Sequence, residues 1–304
     1  MNPTNQGNFG RLCWTACVLA AAFVCAALRK WQLGSAFEED TGLHISGAQA
    51  SVILTCVLVM AAAWFTILAL YAPTPRRRWA LVFLDTGDPL YPILMILAAF
   101  LALAAMPVLL KTGIGQWRVY QDAVSRGDPQ PPSNNGVLTM ATAAGALLAF
   151  LGLLQMGWDA LRPGRRGKGG FAAALPGAAG CVWLMESFRA HASNPVRWDY
   201  APLLLAIVCG MQLYMDFAGM SAESPRPRRL LWMSAMTIVL SAATLVSARA
   251  EGAWGDILLL ASQCLAAAAV LWHLPPHLEN RPISKGNFIS RPGRVSIQEE
   301  TTDE

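Results

Sequence analysis

Hydrophobic residues along the chain are grouped into eight long runs, which polar and proline-containing connections separate. Each run is long enough to cross about 30 Å of hydrocarbon as a helix, which takes roughly 17–25 residues. Strands of a membrane barrel would be only about ten residues long and would alternate apolar and polar positions. The pattern therefore predicts an all-α fold, a polytopic transmembrane bundle. Its eight predicted helices cover Leu12–Leu28, Ala48–Tyr71, Tyr91–Leu110, Val137–Gly157, Phe171–Phe188, Ala201–Met220, Leu230–Ala248 and Gly255–Leu274.

The segments outside these runs are too short to form a domain of their own. We expect a short cytoplasmic N-terminus over residues 1–11, a transmembrane domain over 12–274 and a disordered cytoplasmic tail over 275–304. The first run is followed by Arg-Lys-Trp (29–31) rather than by a small-residue cleavage site. It is therefore expected to be a retained helix and not a signal peptide.

Charge gives the predicted orientation of the bundle. The chain is 55% hydrophobic and only 14% charged, whereas soluble proteins average about 25% charged residues. About two thirds of its 23 Lys and Arg residues fall in the connections on the side that holds both termini. Because positive charge marks the cytoplasmic side, we expect a multi-pass protein of the cell membrane with both termini in the cytoplasm. These connections also account for the net charge of +4, so nucleic-acid binding is not expected.

Cysteine and histidine give no sign of a disulfide framework or a metal centre. All seven cysteines lie within apolar runs, where free thiols serve as small apolar side chains. His273 and His277 are four residues apart, but the two prolines between them break the helix that would bring them to one face. We expect neither a metal site nor a cofactor.

Several segments partly match known catalytic or phosphate-binding motifs, but none matches a motif in full. The basic segment 164–170 lacks the first glycine and the final Ser or Thr of a phosphate-binding loop. A membrane-embedded aspartyl protease would pair Asp88 with Asp216 near the cytoplasmic side. However, Asp88 follows Asp-Thr-Gly rather than the Gly-x-Gly that precedes the catalytic aspartate in such proteases. The sequence favours a protein without enzymatic activity, and the protease stays the weaker alternative.

Two predicted helices carry polar residues along one face inside the membrane. Gln212 and Asp216 are one turn apart on the sixth helix, and Asp256 and Gln263 are two turns apart on the eighth. Ionisable groups in a membrane helix are costly unless they are paired or face the interior. Two interpretations stay open: these faces line a path for a solute or a proton, or they hydrogen-bond neighbouring helices. The absence of a charge at the centre of any helix favours the second.

A second polar group falls in two connections on the predicted outer surface. One follows the first helix and the other joins the fifth helix to the sixth. If the two converge, they form an outer mouth in which Glu186 pairs with Arg189 or Arg197 and stays ionised at modest cost. This candidate outer-mouth cluster comprises Glu38, Glu39, Asp40, Glu186, Arg189, His191, Arg197 and Asp199.

Three patches of sequence carry a resemblance to known proteins. They are FEEDTGL (37–43), RAHASNPVRWDY (189–200) and YMDFAGMS (214–221). Together they resemble a group of uncharacterised multi-pass membrane proteins from Gram-positive gut anaerobes. The resemblance implies an integral membrane location, but it implies no reaction and no functional residues.

The sequence as a whole predicts an integral membrane protein in contact with the lipid bilayer. We expect a membrane sensor or scaffold, with a possible protein partner bound through the cytoplasmic tail and a ligand that the sequence does not identify. The alternative is a small-solute transporter or channel. A transporter would need a wet cavity that reaches the membrane midplane past Gln212 and Asp216.

Overall fold

A computed structural model describes residues 3–38, 45, 47–71, 89–128, 134–162, 169–192, 200–221 and 226–274 of the chain. These residues form eight α-helices and one short 3₁₀ turn, Gly169–Ala173, that leads into the fifth helix. The helices are α1 (Pro3–Ser35), α2 (Gln49–Tyr71), α3 (Leu90–Ser125), α4 (Gly136–Leu161), α5 (Ala174–Ala192), α6 (Ala201–Ser221), α7 (Pro227–Glu251) and α8 (Trp254–His273).

All eight helices are long and apolar enough to cross a membrane. Large apolar side chains also cover the outside of the bundle: Phe23, Tyr71 and Phe171 are among the most exposed. Such a surface would be unstable in water but matches hydrocarbon. The predicted all-α transmembrane bundle is therefore confirmed, and the chain is an integral, multi-pass membrane protein.

Two helices are longer than their apolar runs predict by 15 residues or more. α1 begins at Pro3 and ends at Ser35, and α3 continues from the predicted end at Leu110 to Ser125. In this extension Gly113 and Ala123 are buried, while most of the residues around them are exposed. The extension is thus an amphipathic helix, and most of the connection predicted between the third and fourth helices is helical.

Six of the helices form a closed ring. From α3 to α8, each helix packs against the next one in the chain, and α8 packs back against α3. Consecutive helices run in opposite directions because their connections are short. The two ends of the ring are therefore built from alternate helix termini, which brings residues distant in sequence together.

The first two helices pack outside this ring, against α7. α1 contacts both α2 and α7, and α2 also contacts α7. As a result α7 is the most enclosed helix: 67% of its central apolar window is buried, against 22% for α1 and α2. α7 turns tightly into α8 at Gly252, whose backbone has a left-handed φ of 69° that favours glycine.

Close approach of α3 to α4 depends on glycine. A Cβ atom on Gly136 would lie 2.6 Å from the carbonyl oxygen of Gly113, and one on Gly113 would lie 2.8 Å from Cγ of Met140. Gly152 packs against the 3₁₀ turn, where an added Cβ would lie 2.5 Å from the Ala172 carbonyl oxygen. These small residues let backbones meet as they do in many membrane bundles.

Candidate functional site

Glu186 lies near the C-terminus of α5, where three helices of the ring meet. Its carboxylate is half-buried and accepts a hydrogen bond of 3.0 Å from the hydroxyl of Thr139, in the first turn of α4. The same hydroxyl lies 3.1 Å from the side-chain oxygen of Gln116 on α3. The Asn135 carbonyl oxygen is a third acceptor at 3.2 Å, and since a hydroxyl has one hydrogen, it can donate to only one of the three at a time. The Glu186 carboxylate is thus held against α4 by a neutral donor.

Asp256 brings a second carboxylate to the same end of the ring. It lies in the first turn of α8, where a negative charge is favoured by the helix dipole. The indole Nε1 of Trp183, one turn before Glu186 on α5, donates a hydrogen bond of 2.9 Å to it. The two carboxylates are near enough for their charges to interact. We call Gln116, Thr139, Trp183, Glu186 and Asp256 the acidic cluster, and this end of the ring the Glu186 end.

A small, partly open cavity lies among the helices of the ring, with Trp183 as one of its lining residues. Its volume is about 40 Å³, which is room for a very small number of water molecules. Trp183, Thr142, Tyr214, Ser262 and Gln263 provide its polar lining, and apolar residues of α3, α4, α5, α6 and α8 provide the rest.

Polar atoms in this cavity are only partly satisfied within the protein. Gln263 donates from Nε2 to the Ala206 carbonyl oxygen at 2.6 Å, and the Ser262 hydroxyl donates to the Ala98 carbonyl oxygen at 2.7 Å. Neither the Gln263 Oε1 atom nor the Tyr214 hydroxyl has a hydrogen-bond partner among the described residues. An acceptor and a hydroxyl beside a water-sized space are the usual setting of an internal water molecule. The cavity is therefore suited to water and too small for an organic solute.

Gln212 and Asp216 lie elsewhere, at the opposite end of the ring. Asp216 is buried and accepts a hydrogen bond of 2.8 Å from Nε of Arg229 on α7, which makes an ion pair. Gln212 reaches the other oxygen of Asp216 at 3.4 Å. Neither residue lines the cavity. The interaction of Asp216 with Arg229 therefore joins α6 to α7. Of the four predicted intramembrane residues, Gln263 lines the cavity. Asp256 is bonded to Trp183, which also lines it.

The outer-mouth cluster is only partly described. Glu38 and Arg189 are exposed, and His191 is half-buried with its ring stacked on that of Tyr200 at 5.1 Å between centroids. Nδ1 of His191 lies 2.7 Å from the Ser187 carbonyl oxygen. The remaining members of the cluster fall outside the described residues: Glu39, Asp40, Arg197 and Asp199.

The pairing of Glu186 with Arg189 is not formed. The described partner of Glu186 is the Thr139 hydroxyl, because this carboxylate faces α4 while Arg189 lies exposed at the end of α5. The alternative partner, Arg197, lies outside the described residues, and so does Asp88, the proposed protease partner of Asp216. Asp216 itself is held by Arg229.

Arg29 belongs to a second polar network at the Glu186 end, and sequence patterns did not mark it. Its side chain is only 2% exposed, although it stands just beyond the first apolar run. It donates from Nε to the Ser247 hydroxyl of α7 at 2.7 Å and from Nη1 to the Gln32 side-chain oxygen at 2.5 Å. Gln32 in turn donates to Ser51 of α2 at 2.8 Å. This network joins α1, α2 and α7.

Among the described residues, no group of three or more His, Cys, Asp and Glu side chains is arranged to hold a metal ion. The free thiols are single and mostly face lipid or apolar neighbours. No protein-family model matches the chain, and comparisons with curated proteins and with solved structures give no match. The candidate site therefore stands on its geometry: an acidic cluster at one end of a helix ring, with a water-sized polar cavity beneath it.

Proposed function

We propose that this integral membrane protein is a membrane sensor or scaffold that does not conduct solutes. The observation that supports it is the closed ring of packed helices, in which the cavity lined by Gln263 and Tyr214 holds about 40 Å³, room for water but too small for an organic solute. The side chains that would line a transport path past Gln212 and Asp216 instead join two helices through Arg229. In this proposal the bundle positions the outer connections and the cytoplasmic tail for a protein partner.

Reconstituted vesicles test whether the ring is closed. Stopped-flow light scattering on proteoliposomes should give the same shrinkage with glycerol, urea and small sugars as protein-free liposomes of equal lipid. A trapped pH dye should likewise show no added proton leak. Solute uptake that depends on the protein would contradict the proposal.

The scaffold role needs a partner, which crosslinking in the native membrane can identify. We expect a specific crosslinked protein that disappears when the chain is truncated after Leu274, or when Glu38, Glu39 and Asp40 are all changed to Gln or Asn. Crosslinks unchanged in both variants would show that neither the tail nor the acidic connection binds a partner.

A second candidate function is proton transfer, and one observation favours it. The acidic cluster and the cavity share Trp183, so two carboxylates stand next to a space suited to water. Carboxylates and bound water are the parts from which membrane proteins build proton relays. In this alternative Glu186 exchanges protons with water at one end, and the cavity carries them toward the centre of the ring.

The same vesicles separate the two candidates. For a proton-transfer protein, Glu186→Gln should remove most of a protein-dependent proton flux, whereas Asp122→Asn, at an exposed carboxylate on α3, should leave it unchanged. The absence of flux in the unmodified protein would exclude this candidate and leave the scaffold proposal standing.

A further inference from the structure

The cavity inside the ring offers hydrogen-bond acceptors that the surrounding side chains leave unused. The Thr142 hydroxyl donates to the Leu138 carbonyl oxygen at 3.0 Å. The Ser262 hydroxyl donates to the Ala98 carbonyl oxygen at 2.7 Å. Because both hydrogens are directed to the backbone, the two hydroxyl oxygens keep lone pairs for another donor. Gln263 lines the same space at only 6% exposure, and its Oε1 atom, which meets no donor in the part of the chain that the structure describes, adds a third acceptor.

Donors are scarce in the same lining. The Tyr214 hydroxyl can donate one hydrogen bond, and it makes none to a described residue although Tyr214 is only 6% exposed. The indole N–H of Trp183 is already bonded to Asp256 at 2.9 Å. The other lining residues that the structure describes are apolar, and no charged side chain is among them. An occupant of the cavity must therefore supply hydrogen-bond donors of its own.

Size and charge select the occupant of this space. Its volume of about 40 Å³ has room for only a very small number of water molecules. An apolar molecule would leave the buried Gln263 Oε1 atom without a donor, which is costly in surroundings of low polarity. A cation would lose its hydration shell and find no carboxylate in the described lining to balance its charge. Water fits the volume and can donate two hydrogen bonds, so it matches this lining best.

We propose that this cavity is a binding site for an ordered water molecule that bridges Tyr214 of α6 and Gln263 of α8. The water accepts from the Tyr214 hydroxyl and donates to the Gln263 Oε1 atom and to the hydroxyl oxygen of Ser262. Three hydrogen bonds are usual for a buried water molecule. The bridge joins α6 to α8 near Gly210, against which the Gln263 amide packs. This inference goes beyond the scaffold proposal, because a resident water holds the ring together whether or not a partner binds.

Radiolytic hydroxyl-radical footprinting of the full chain in lipid nanodiscs tests for this water, because radicals formed from a bound water oxidise the side chains beside it. We expect oxidation of Tyr214 despite its burial. Tyr91 is the matched reference, since it is similarly buried at 2% exposure and does not line the cavity. Gln263→Leu removes an acceptor of the water and should abolish most of the oxidation of Tyr214, whereas Gln155→Leu, at an exposed glutamine of α4, should leave it unchanged. Equal oxidation of the two tyrosines in the unmodified chain, or equal effects of the two substitutions, would overturn the proposal.

Thermal unfolding gives a second test, with the milder variants Tyr214→Phe and Gln263→Met. The two side chains make no direct hydrogen bond, so coupling between them has to pass through the water. Each variant should lower the unfolding midpoint by about 2–4 °C, as expected for the loss of about one hydrogen bond, and the double variant should lose less than the sum. Additive losses would contradict the bridge. A rise in the midpoint with sodium or potassium chloride, but not with choline chloride at equal concentration, would show that a cation occupies the cavity instead.

Discussion

Arg29 is a charged side chain that the fold keeps almost fully buried. The hydropathy pattern ends the first apolar run at Leu28, so sequence alone treats Arg29 as the start of a connection. In the structure α1 continues to Ser35, and Arg29 turns toward Ser247 and Gln32. Burial of a charge depends on partners from other helices, which a local pattern cannot contain.

Arg29→Ala should destabilise the protein strongly. The change removes hydrogen bonds to Ser247 and Gln32 and leaves a gap between α1 and α7, and we expect a loss of about 3 kcal/mol. Thermal unfolding of purified protein measures it. Lys30→Ala is the control, because the neighbouring Lys30 is exposed and its removal should change stability by about 0.5 kcal/mol or less. Similar unfolding midpoints for the two variants would contradict the role of Arg29.

The Asp216–Arg229 pair has one buried and one partly exposed partner. Arg229 is 37% exposed while Asp216 is 5% exposed, so water weakens the attraction on one side only. A double-mutant cycle with Asp216→Asn and Arg229→Gln should give a coupling free energy of about 1 kcal/mol. The measurement is thermal or denaturant unfolding of the two single variants and the double variant. Additive losses would show that the pair contributes nothing beyond its separate side chains.

At this scale, sequence reasoning identified Glu186, Asp216 and Asp256 as polar residues of interest but not their partners, and it missed Arg29. Spacing placed Gln212 near Asp216 because both belong to one helix, and the 3.4 Å contact agrees with that spacing. It could not place Thr139 beside Glu186 or Trp183 beside Asp256, since these pairs lie 47 and 73 positions apart in the chain. Such pairs follow from the order of helices in the ring, which no local pattern encodes.

α3 shows where a hydropathy pattern misjudges an element. The apolar run ends at Leu110, yet the following residues contain no proline and keep a buried stripe that includes Gly113 and Ala123. A helix ends at a proline, a glycine or a capping residue, whereas an apolar run ends where the chain leaves the hydrocarbon. The eight crossings were therefore predictable, while the extension of α3 required its contacts with α4.

α6 and α8 depend on a glycine where Gln263 crosses between them. The side-chain amide of Gln263 occupies the space that a Cβ on Gly210 would fill, and this lets it reach the Ala206 carbonyl oxygen. Gly210→Ala should displace this amide and destabilise the protein by about 1–3 kcal/mol through overpacking.

Gly115→Ala provides a matched control for that substitution. Gly115 is also helical, but nothing lies within 4 Å of the position of its Cβ. Alanine there should leave stability unchanged or raise it by up to about 1 kcal/mol, because it reduces the freedom of the unfolded chain. Unfolding midpoints of the two variants give the comparison. An equal effect of both substitutions would show that Gln263 tolerates displacement.

At the scale of the whole molecule, the ring of six helices and the two outer helices have different structural roles. The ring encloses the polar cavity, and α1 and α2 shield α7 from lipid. The class of the fold followed from the eight apolar runs because lipid permits few alternatives. The closure of α8 onto α3 could not be predicted, because it depends on packing between helices distant in sequence.

The orientation of the bundle in the membrane is a prediction that labelling can test. Eight crossings by the described helices would place both termini on one side, and we propose that this side is cytoplasmic because its connections hold the excess of Lys and Arg. α4 is 26 residues long, about 39 Å as a helix, so its ends lie on opposite sides of the bilayer. In intact cells a charged maleimide should label Asp128→Cys, before α4, but not Arg162→Cys, after it.

Detergent permeabilisation should then make the second position reactive. The unsubstituted chain provides the baseline, since its described cysteines lie within membrane helices. Labelling of Arg162→Cys alone in intact cells would reverse the orientation without changing the fold. Labelling of both positions would contradict the crossing by α4 and, with it, the alternation of helix ends that brings Glu186, Asp256 and Arg29 to one end of the bundle.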